Sequence, residues 1–451
     1  MAPPTASRGP VDKRDVRLVV ASSVLGTTVE WYDFFLYGTA AGLVFNKLYF
    51  PSGDPLVGTL LSFATFALGF IARPVGGLVF GHIGDRVGRK KTLVATMLIM
   101  GLATCAIGLV PTYADIGVFA PVLLVLLRLA QGVAIGGEWG GAVLMAVEYA
   151  PPGRRGLYGS FPQVGLALGL MLGTGVFAAL SAAMSDSAFL AWGWRIAFLL
   201  SAVLVLVGMV IRLKVMETPA FRKLQEHERE SSVPVVALAR DRTSRRHVLL
   251  GMGSRLTEGI AFNAWAVFAI AYGTGTLGMP EQPLLIAVMA ASAVMIVFIP
   301  LFGRLSDRFG RRRTFVLGAV ATGALALPTF AALGVGDPLL ITVALVAVLG
   351  IAYPAMYGPQ AAFYSELFPT HVRCTGISFV YQFSGIFASG FTPLVLSSLV
   401  GAAGGGYQLV VLYLVVATAV SAACAVAIRR RDLWTDAERA TGAQALREAA
   451  Q

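Results

Sequence analysis

Twelve long apolar stretches constrain this 451-residue chain more than any other feature of its sequence. A bilayer core is about 30 Å thick, and an α-helix needs about 20 mostly apolar residues to cross it. Only 13% of the residues are charged, against about 25% in soluble proteins. The sequence therefore predicts an all-α integral membrane protein with twelve transmembrane helices. The expected spans are 18–44, 56–80, 92–111, 118–147, 156–183, 193–213, 248–276, 284–303, 314–334, 338–365, 374–401 and 407–428.

The charged segments divide these helices into two groups of six. The densest charge lies in residues 214–247, which we expect to form a loop between an N-terminal six-helix bundle, 18–213, and a C-terminal one, 248–428. Short tails, 1–17 and 429–451, flank the two bundles. No small-residue cleavage site follows the first apolar stretch, so we predict an uncleaved first helix rather than a signal peptide.

Positive charge is concentrated on one side of the predicted membrane. Of the 35 lysines and arginines, 30 fall in the tails and in alternate loops on one side, whereas the opposite loops hold only Lys47. Loops rich in Lys and Arg stay in the cytoplasm. We therefore expect both termini to be cytoplasmic. The net charge of +11 then reflects topology and contacts with anionic lipids, not a nucleic-acid surface.

Two short motifs each occur twice, in the same order along the chain. The copies lie 222 residues apart for the first motif and 218 for the second, close to half the chain length, which indicates two homologous halves. Convergence of charged turns would explain one such motif better than two. The copies are Gly81-His-Ile-Gly-Asp-Arg-Val-Gly-Arg-Lys-Lys91 with Gly303-Arg-Leu-Ser-Asp-Arg-Phe-Gly-Arg-Arg-Arg313, and Glu148-Tyr-Ala-Pro151 plus Arg155 with Glu366-Leu-Phe-Pro369 plus Arg373.

The sequence carries no pattern typical of an enzyme or a metal site. Cys105, Cys374 and Cys424 are too few and too scattered for a disulfide framework or a metal centre, and the four histidines lack metal-ligand spacing. A Gly-x-x-x-x-Gly-Lys phosphate loop and a nucleophile arrangement are also missing. We therefore expect no enzymatic activity, no metal and no cofactor.

Ionisable residues inside the predicted helices mark the candidate functional region, because charge in the hydrocarbon core is costly and usually serves transport. Glu30, Asp33 and Tyr37 are spaced by three and four residues and share one face of the first helix. Arg128 and Gln131 lie on a common stripe of the fourth helix. The charged residues that stand out are Glu30, Asp33, Arg73, Arg128, Glu138, Arg255 and Glu258.

Arg128 and Asp33 both fall near the middle of their helices, which suggests a coupling mechanism. An anionic substrate that takes over Arg128 would deprive Asp33 of its cation, and Asp33 would then take up a proton. Glu30 is a second candidate for proton coupling. The alternative is that these charges are ion pairs that hold helices together, and for Arg73 and Glu138 we expect such a structural pair.

Polar groups in other helices are candidates for the rest of a substrate site. A buried amide needs a hydrogen-bond partner, which a water-filled cavity or a ligand supplies. Arg255 and Glu258 would line or gate the same cavity. The further candidates are Gln131, Tyr37, Asn263, Tyr357, Gln360 and Gln382.

Several motifs resemble those of known transporters. The repeated Gly81–Lys91 loop is similar to the signature loop of the major facilitator superfamily, and Arg128-Leu-Ala-Gln-Gly132 resembles its fourth-helix motif for proton coupling. The chain resembles in particular the metabolite:proton symporter family of that superfamily. The stretches that carry this resemblance are Val29-Glu-Trp-Tyr-Asp-Phe34, Gly69-Phe-Ile-Ala-Arg-Pro-Val-Gly-Gly77, Gly132-Val-Ala-Ile-Gly-Gly-Glu-Trp-Gly-Gly-Ala142, Glu217-Thr-Pro-Ala-Phe221 and Glu366-Leu-Phe-Pro-Thr-His-Val-Arg-Cys-Thr-Gly376.

The resemblance implies a monomeric carrier of the bacterial inner membrane with a midplane site between its two halves, driven by the proton gradient. It also implies that Asp85 and Asp307 contact the start of a helix in the opposite half and close the cytoplasmic side. The residues expected in this cytoplasmic gate are Gly81, Asp85, Arg86, Gly88, Arg89, Asp307, Arg308, Gly310, Arg311, Glu148, Arg155, Glu366 and Arg373.

The predicted function is import of a small organic acid, such as shikimate or a di- or tricarboxylate, together with protons. Arg255-Leu-Thr-Glu258 looks most like the shikimate branch. A facilitator without proton coupling is the nearest alternative. A drug-exporting antiporter is disfavoured because Ser160-Phe-Pro-Gln-Val-Gly165 lacks the Gly-Pro-x-x-Gly-Gly motif of such exporters. The absence of a long C-terminal tail argues against an osmolyte symporter for proline or betaine and against a non-transporting nutrient sensor.

Overall fold

A computed structural model describes residues 13–87, 89–136, 146–147, 150–151, 153–216, 242–369, 373–429 and 433–434. These residues form twelve helical rods in two groups of six. We number them α1 (13–48), α2 (Pro55–Val87), α3 (Arg89–Leu109), α4 (Phe119–Gly136), α5 (Arg155–Ala183), α6 (186–216), α7 (242–275), α8 (Glu281–Phe309), α9 (Arg311–Val335), α10 (Pro338–Ser365), α11 (373–402) and α12 (Gln408–Ala427).

The membrane character of the rods follows from their length and composition. Within the described ranges, nine helices are long and apolar enough to cross a bilayer, and α3 adds the shorter apolar segment Val94–Leu109. The two remaining rods, α1 and α7, carry the buried pairs Glu30 with Asp33 and Arg255 with Glu258. The predicted twelve-helix class is confirmed.

The helices extend further than the apolar stretches predict. Helix α2 was expected at 56–80 but continues to Val87, through the first half of the repeated motif. Helix α8 likewise reaches Phe309 rather than residue 303. Apolarity stops where the membrane stops, whereas a helix can continue into water. Most of the expected central loop and both tails lie outside the described residues.

Five rods contain short π-helical segments that apolar periodicity does not reveal. A π segment rotates the following side chains to a new face of the helix, and such segments occur often at functional sites. They are Ala41–Phe45 in α1, Phe189–Gly193 in α6, Ala264–Phe268 in α7, Val346–Ala352 in α10 and Ile386–Gly390 in α11.

Glycines bring α2 and α4 into backbone contact. A Cβ atom built on Gly132 would lie 2.2 Å from the carbonyl oxygen of Gly69, and one on Gly136 would lie 1.9 Å from that of Arg73. Small residues allow membrane helices to approach this closely. Gly69 also leaves room for a side chain of α4, because its Cβ would lie 2.6 Å from Nε of Arg128.

The two halves contact each other at both ends of the molecule. We call the end that holds the α2–α3 and α8–α9 junctions the basic end. There, a Cβ on Gly156 of α5 would lie 2.4 Å from the carbonyl oxygen of Gly303 of α8. At the opposite end, Gly42 of α1 lies against Ala271 of α7, and Gln282 of α8 donates to the carbonyl of Ala178 in α5 at 2.9 Å. The described parts of the two halves are therefore in contact at both ends.

The close contact of α2 and α4 predicts that one added methyl group on α4 will destabilise the fold. Gly136→Ala should lower the thermal unfolding temperature in detergent by an amount equivalent to about 1–3 kcal/mol, because overpacking forces the backbones apart. Gly275→Ala is the matched control, since a Cβ there meets nothing within 4 Å. Equal unfolding temperatures for the two variants would contradict the tight packing.

Candidate functional site

Three arginines are buried near the centre of the molecule, where α2, α4 and α7 meet the opposite half. Arg73, Arg128 and Arg255 are 4%, 1% and 2% exposed. Buried charge is destabilising unless it is paired and hydrogen-bonded. The partners of each arginine therefore indicate whether it is paired within the protein or available to a ligand.

Arg128 lies in an aromatic cage with part of its guanidinium unpaired. Its guanidinium carbon is 4.1 Å from the ring centroid of Tyr37, 4.9 Å from that of Phe34 and 5.1 Å from that of Phe66. Nη1 donates to Oε1 of Gln131 at 3.1 Å. Nε and Nη2 have no hydrogen-bond partner among the described residues. A buried cation with two free donors is suited to hold an anion.

Asp33 is connected to Arg128 through a hydrogen-bonded chain and not through an ion pair. Thr104 donates to one carboxyl oxygen at 3.0 Å, and Ser201 donates to the other at 2.5 Å. Gln131 donates through Nε2 to the hydroxyl oxygen of Thr104 at 2.7 Å. In this structure, Thr104 of α3 and Gln131 lie between Arg128 and Asp33, and the predicted exchange of charge between the two on substrate binding stays a prediction.

The hydroxyl of Thr104 can donate its hydrogen bond in either of two directions. It has a single hydrogen, yet it lies within bonding distance of both Asp33 and the backbone carbonyl of Met100, at 2.9 Å. An ionised Asp33 can only accept a hydrogen bond, whereas a protonated one can also donate. When Asp33 is protonated, it can donate a hydrogen bond to the Thr104 oxygen, and the Thr104 hydroxyl can then donate to the carbonyl of Met100. Asp33 can therefore gain a proton while every one of these buried groups keeps a hydrogen-bond partner.

Arg73 lies against aromatic rings on the α1 side. Its guanidinium carbon is 4.3 Å from the centroid of Phe70 and 4.8 Å from that of Phe34. Glu30, which is 6% exposed, lies within its electrostatic range. Glu138, the expected partner of Arg73, lies outside the described residues, and that pair stays a prediction.

Arg255 and Glu258 satisfy each other in the C-terminal half. Nε of Arg255 is 2.9 Å from Oε2 of Glu258, and Nη1 donates to the backbone carbonyl of Tyr381 at 2.9 Å and to Ser384 at 3.0 Å. The Tyr381 ring centroid lies 3.6 Å from the guanidinium carbon. The hydroxyl of Tyr353 donates to Oε1 of Glu258 at 3.0 Å.

Helix α10 presents a polar face to this pair. Tyr353, Tyr357 and Gln360 are spaced by four and three residues and therefore share that face. Gln360 lies at hydrogen-bond distance, 3.5 Å, from Oε2 of Glu258, and the rings of Tyr353 and Tyr357 stack with centroids 5.3 Å apart. Sequence reasoning selected Tyr357 and Gln360 but missed Tyr353, which the same spacing could have found. Asn263 bonds through Nδ2 to the Gly259 carbonyl of its own helix at 2.9 Å.

The side chains of Thr104, Ser201 and Tyr381 were also missed. Hydroxyl groups in membrane helices often bond to a carbonyl of their own helix, so their presence in the sequence does not single out a site. Tyr381 resembles the many aromatic residues that serve as packing. Only the packing of α3 and α6 against α1 identifies Thr104 and Ser201 as partners of Asp33.

Besides Gln282, two further glutamines of the described residues connect the halves through backbone carbonyls. Gln382 of α11 donates to the carbonyl of Gly136 in α4 at 3.1 Å, and Gln163 of α5 donates to that of Tyr357 in α10 at 2.6 Å. Gln382 was expected to bind substrate, and its amide nitrogen is instead engaged between the halves. Gln163 was not selected from the sequence.

An aromatic layer separates the Arg128 region from the Arg255 pair. Phe70 of α2 touches α11, since it lies 2.9 Å from where a Cβ of Gly390 would be. Phe35 of α1 and Phe262 of α7 have ring centroids 5.0 Å apart, and Phe262 continues to Tyr353 at 5.3 Å. A bound molecule between the halves would therefore meet ring faces in its middle.

At the basic end, Asp307 joins α8 to the start of α5. Its two carboxyl oxygens accept the backbone N–H groups of Gly156 and Leu157 at 2.8 and 3.0 Å. Arg311 contacts Asp307 at 3.1 Å and Glu366 at 2.6 Å. The free N–H groups and positive dipole of a helix start favour a carboxylate there. This is the contact that the resemblance predicts for Asp307.

The other expected gate residues are placed around this contact. Gly310 has φ of 93°, a left-handed conformation that suits glycine, and links α8 to α9. Arg373 is buried and donates to the Phe368 carbonyl at 3.3 Å, Arg155 is half-buried, and Arg308 is exposed. Only the backbone is described for Gly81, Asp85, Arg86 and Arg89, and Gly88 and Glu148 lie outside the described residues.

Loss of the Asp307 charge should weaken the contact between α8 and the start of α5, so that buried residues at the basic end become more accessible to reagents. In an Asp307→Asn variant, a cysteine introduced at Ser160, which lies buried between α5 and α8, should react with a thiol reagent about two- to five-fold faster. That range corresponds to the roughly 0.3–1 kcal/mol of a carboxylate at a helix start. The background is a chain without its native cysteines. Asp337→Asn is the control, because Asp337 caps α10 at the opposite end through a 2.7 Å bond. An unchanged labelling rate in Asp307→Asn would refute the proposed role.

Known proteins similar to this chain are membrane transporters and not enzymes. Residues 18–242 match the family described as "Sugar (and other) transporter", and residues 256–449 match the "Major Facilitator Superfamily". The inner membrane metabolite transport protein YhjE of Escherichia coli K12 is 42% identical, with 86% of this chain and 89% of that protein covered. The shikimate transporter of the same strain is 38% identical, with 92% and 94% covered.

More distant relatives and solved structures agree in fold. The proline/betaine transporter of Salmonella typhimurium LT2 is 35% identical, with 86% of this chain and 79% of that protein covered. The crystal structure of a D-xylose-proton symporter superposes with a TM-score of 0.69 at 18% identity, over 92% of this chain and 97% of that one. At that identity the likeness establishes the shared fold.

Proposed function

The chain belongs to the major facilitator superfamily of metabolite transporters, and from that premise we propose that it imports a small organic acid together with protons. The observation that carries this proposal is the buried guanidinium of Arg128, two of whose nitrogens have no hydrogen-bond partner in the part of the chain that the structure describes. A carboxylate is the natural partner of such a group. The likeness to the shikimate transporter supports shikimate as a first probe.

Charge balance in the buried site supplies the coupling. Arg128 and an ionised Asp33 together carry no net charge. An anion that binds Arg128 alone, or a proton that binds Asp33 alone, leaves one buried charge uncompensated, which costs several kcal/mol. Binding of both leaves the net charge unchanged. The chain through Gln131 and Thr104 lets each event bias the other without direct contact.

Transport would proceed by alternating access, with one half rocking against the other around this site. The contacts between the halves at both ends support an occluded arrangement as one intermediate of that cycle. We assign the basic end to the cytoplasm of a bacterial cell, from the distribution of Lys and Arg. Both termini would then lie on the cytoplasmic side of the cell membrane. Asp307 would hold the cytoplasmic side shut, and the proton gradient would drive the cycle without a cofactor. The carrier would work as a monomer among anionic lipids.

The proton-coupling role of Asp33 is tested in proteoliposomes. Shikimate should accumulate when the external solution is more acidic, and Asp33→Asn should reduce that accumulation at least tenfold while exchange of labelled for unlabelled shikimate continues. The physical reason is that an amide cannot take up the proton. Asp186→Asn, at an exposed position, is the control. If uptake by the wild type does not depend on the pH gradient, proton coupling is overturned. If Asp33→Asn accumulates shikimate as fully as the wild type, the proton-coupling role of Asp33 is overturned.

The hydrogen-bonded chain gives a second test. Thr104→Val keeps the side-chain shape but removes the hydroxyl that joins Gln131 to Asp33, so gradient-driven accumulation should fall about tenfold or more. Thr104→Ser retains the hydroxyl and should stay within about threefold of wild type. Both are measured by uptake at matched protein content. Equal uptake by the Val and Ser variants would show that the chain has no part in coupling.

A further inference from the structure

The three central arginines form one electrostatic group that limits how many carboxylates a substrate can have. Arg128 and Arg73 face the same ring, since their guanidinium carbons lie 4.9 and 4.8 Å from the centroid of Phe34, and Arg73 also lies 4.3 Å from the centroid of Phe70. Nη1 of Arg255 is 3.3 Å from where a Cβ of Gly385 would be, and Phe70 approaches the same point within 3.6 Å. A substrate between the halves is therefore close to all three cations.

Two of these cations already have an acidic neighbour in the protein. Arg255 has Glu258 at 2.9 Å, two hydrogen bonds on Nη1 and the Tyr381 ring on its face. Arg73 lies against the rings of Phe70 and Phe34, and the negative charge of Glu30 acts on it without a direct ion pair among the described contacts. To take a carboxylate from solution, Arg255 would have to exchange its ion-pair partner, which leaves Glu258 uncompensated.

Arg128 is different, because its electrostatic neighbours among the described residues are Tyr37 and Arg73 and include no acid. Its hydrogen-bonded neighbour is the neutral amide of Gln131. Glu138 lies outside the described residues, and an acid near this group would reduce the number of uncommitted cations rather than increase it. Among the described residues, the site therefore offers at most one uncommitted position for a carboxylate.

The opposite side of the site favours neutral hydrogen-bond donors. Oε1 of Gln360 is buried without a partner in the part of the chain that the structure describes, and the Glu258 oxygens have lone pairs to spare. Hydroxyl groups fit these acceptors. A quaternary ammonium group has no N–H or O–H to donate, so it cannot form hydrogen bonds with these acceptors.

We infer that the carrier is selective for a monocarboxylate that bears hydroxyl groups, and that the Arg255–Glu258 pair excludes dicarboxylates by keeping the second cation occupied. This inference rests on the proposed import of an organic acid and narrows its substrate class. Glu258 is thus a specificity-determining residue, because it controls whether Arg255 is available to a ligand.

Binding to the purified full-length chain in detergent tests the inference with three probes: shikimate, malate and glycine betaine. Thermal shift and titration calorimetry should give wild-type affinity for shikimate at least tenfold tighter than for malate or betaine. Equal or tighter binding of malate or betaine would overturn the inference. It would leave the proton-coupled import of organic acids to be decided separately by the proteoliposome assay.

A charge swap then tests the mechanism of exclusion. Glu258→Gln releases Arg255 and should raise the affinity for malate about tenfold or more. The double variant Arg255→Gln with Glu258→Gln removes both charges and should show no such gain. If the affinity for malate rises in both variants, or if both variants fold and it rises in neither, the proposed role of the Arg255–Glu258 pair is overturned. If Glu258→Gln does not fold, the wild-type ranking of the three probes still decides the selectivity.

Discussion

Compensation of buried charge is the constraint on which the centre of this structure depends. Six ionisable side chains of the described core, Glu30, Asp33, Arg73, Arg128, Arg255 and Glu258, are each less than a tenth exposed. A low-dielectric interior makes an isolated charge unstable, so every one of them must find a partner or remain available to a ligand. Arg255 and Glu258 compensate each other, whereas Arg128 and Asp33 are compensated only as a distant pair. That difference leaves Arg128, among the described residues, as the buried cation most available to a ligand.

The architecture was predictable because it rests on composition and length. Twelve apolar stretches, the positive side of the membrane and the duplicated Gly81–Lys91 motif each depend on properties that a single sequence displays. Boundaries were less accurate where a polar helix continues beyond the membrane, as in α2 and α8. The π-helical segments could not be foreseen, since they arise from packing and leave no repeating pattern.

The charged members of the site were predictable for the same reason: a charge within an apolar stretch is conspicuous. Their partners were not. Thr104 and Ser201 reach Asp33 from helices that are remote in sequence, and Gln131 connects Arg128 to Thr104 rather than to the carboxylate itself. Spacing along one helix identifies a shared face, but it does not tell which neighbouring helix lies against that face. The roles of these residues in transport remain proposals.

The links made by Gln163 and Gln382 have a consequence for how such a carrier can diversify. Both amides bind backbone carbonyls, of Tyr357 and Gly136, and neither bond depends on the side chain of the partner residue. The side chain at position 357 can therefore change without loss of the bond that Gln163 makes. Joining the halves through main-chain atoms leaves the side chains of the proposed site free to vary, so the substrate of a carrier built in this way can change over evolution while the contacts between its halves are retained.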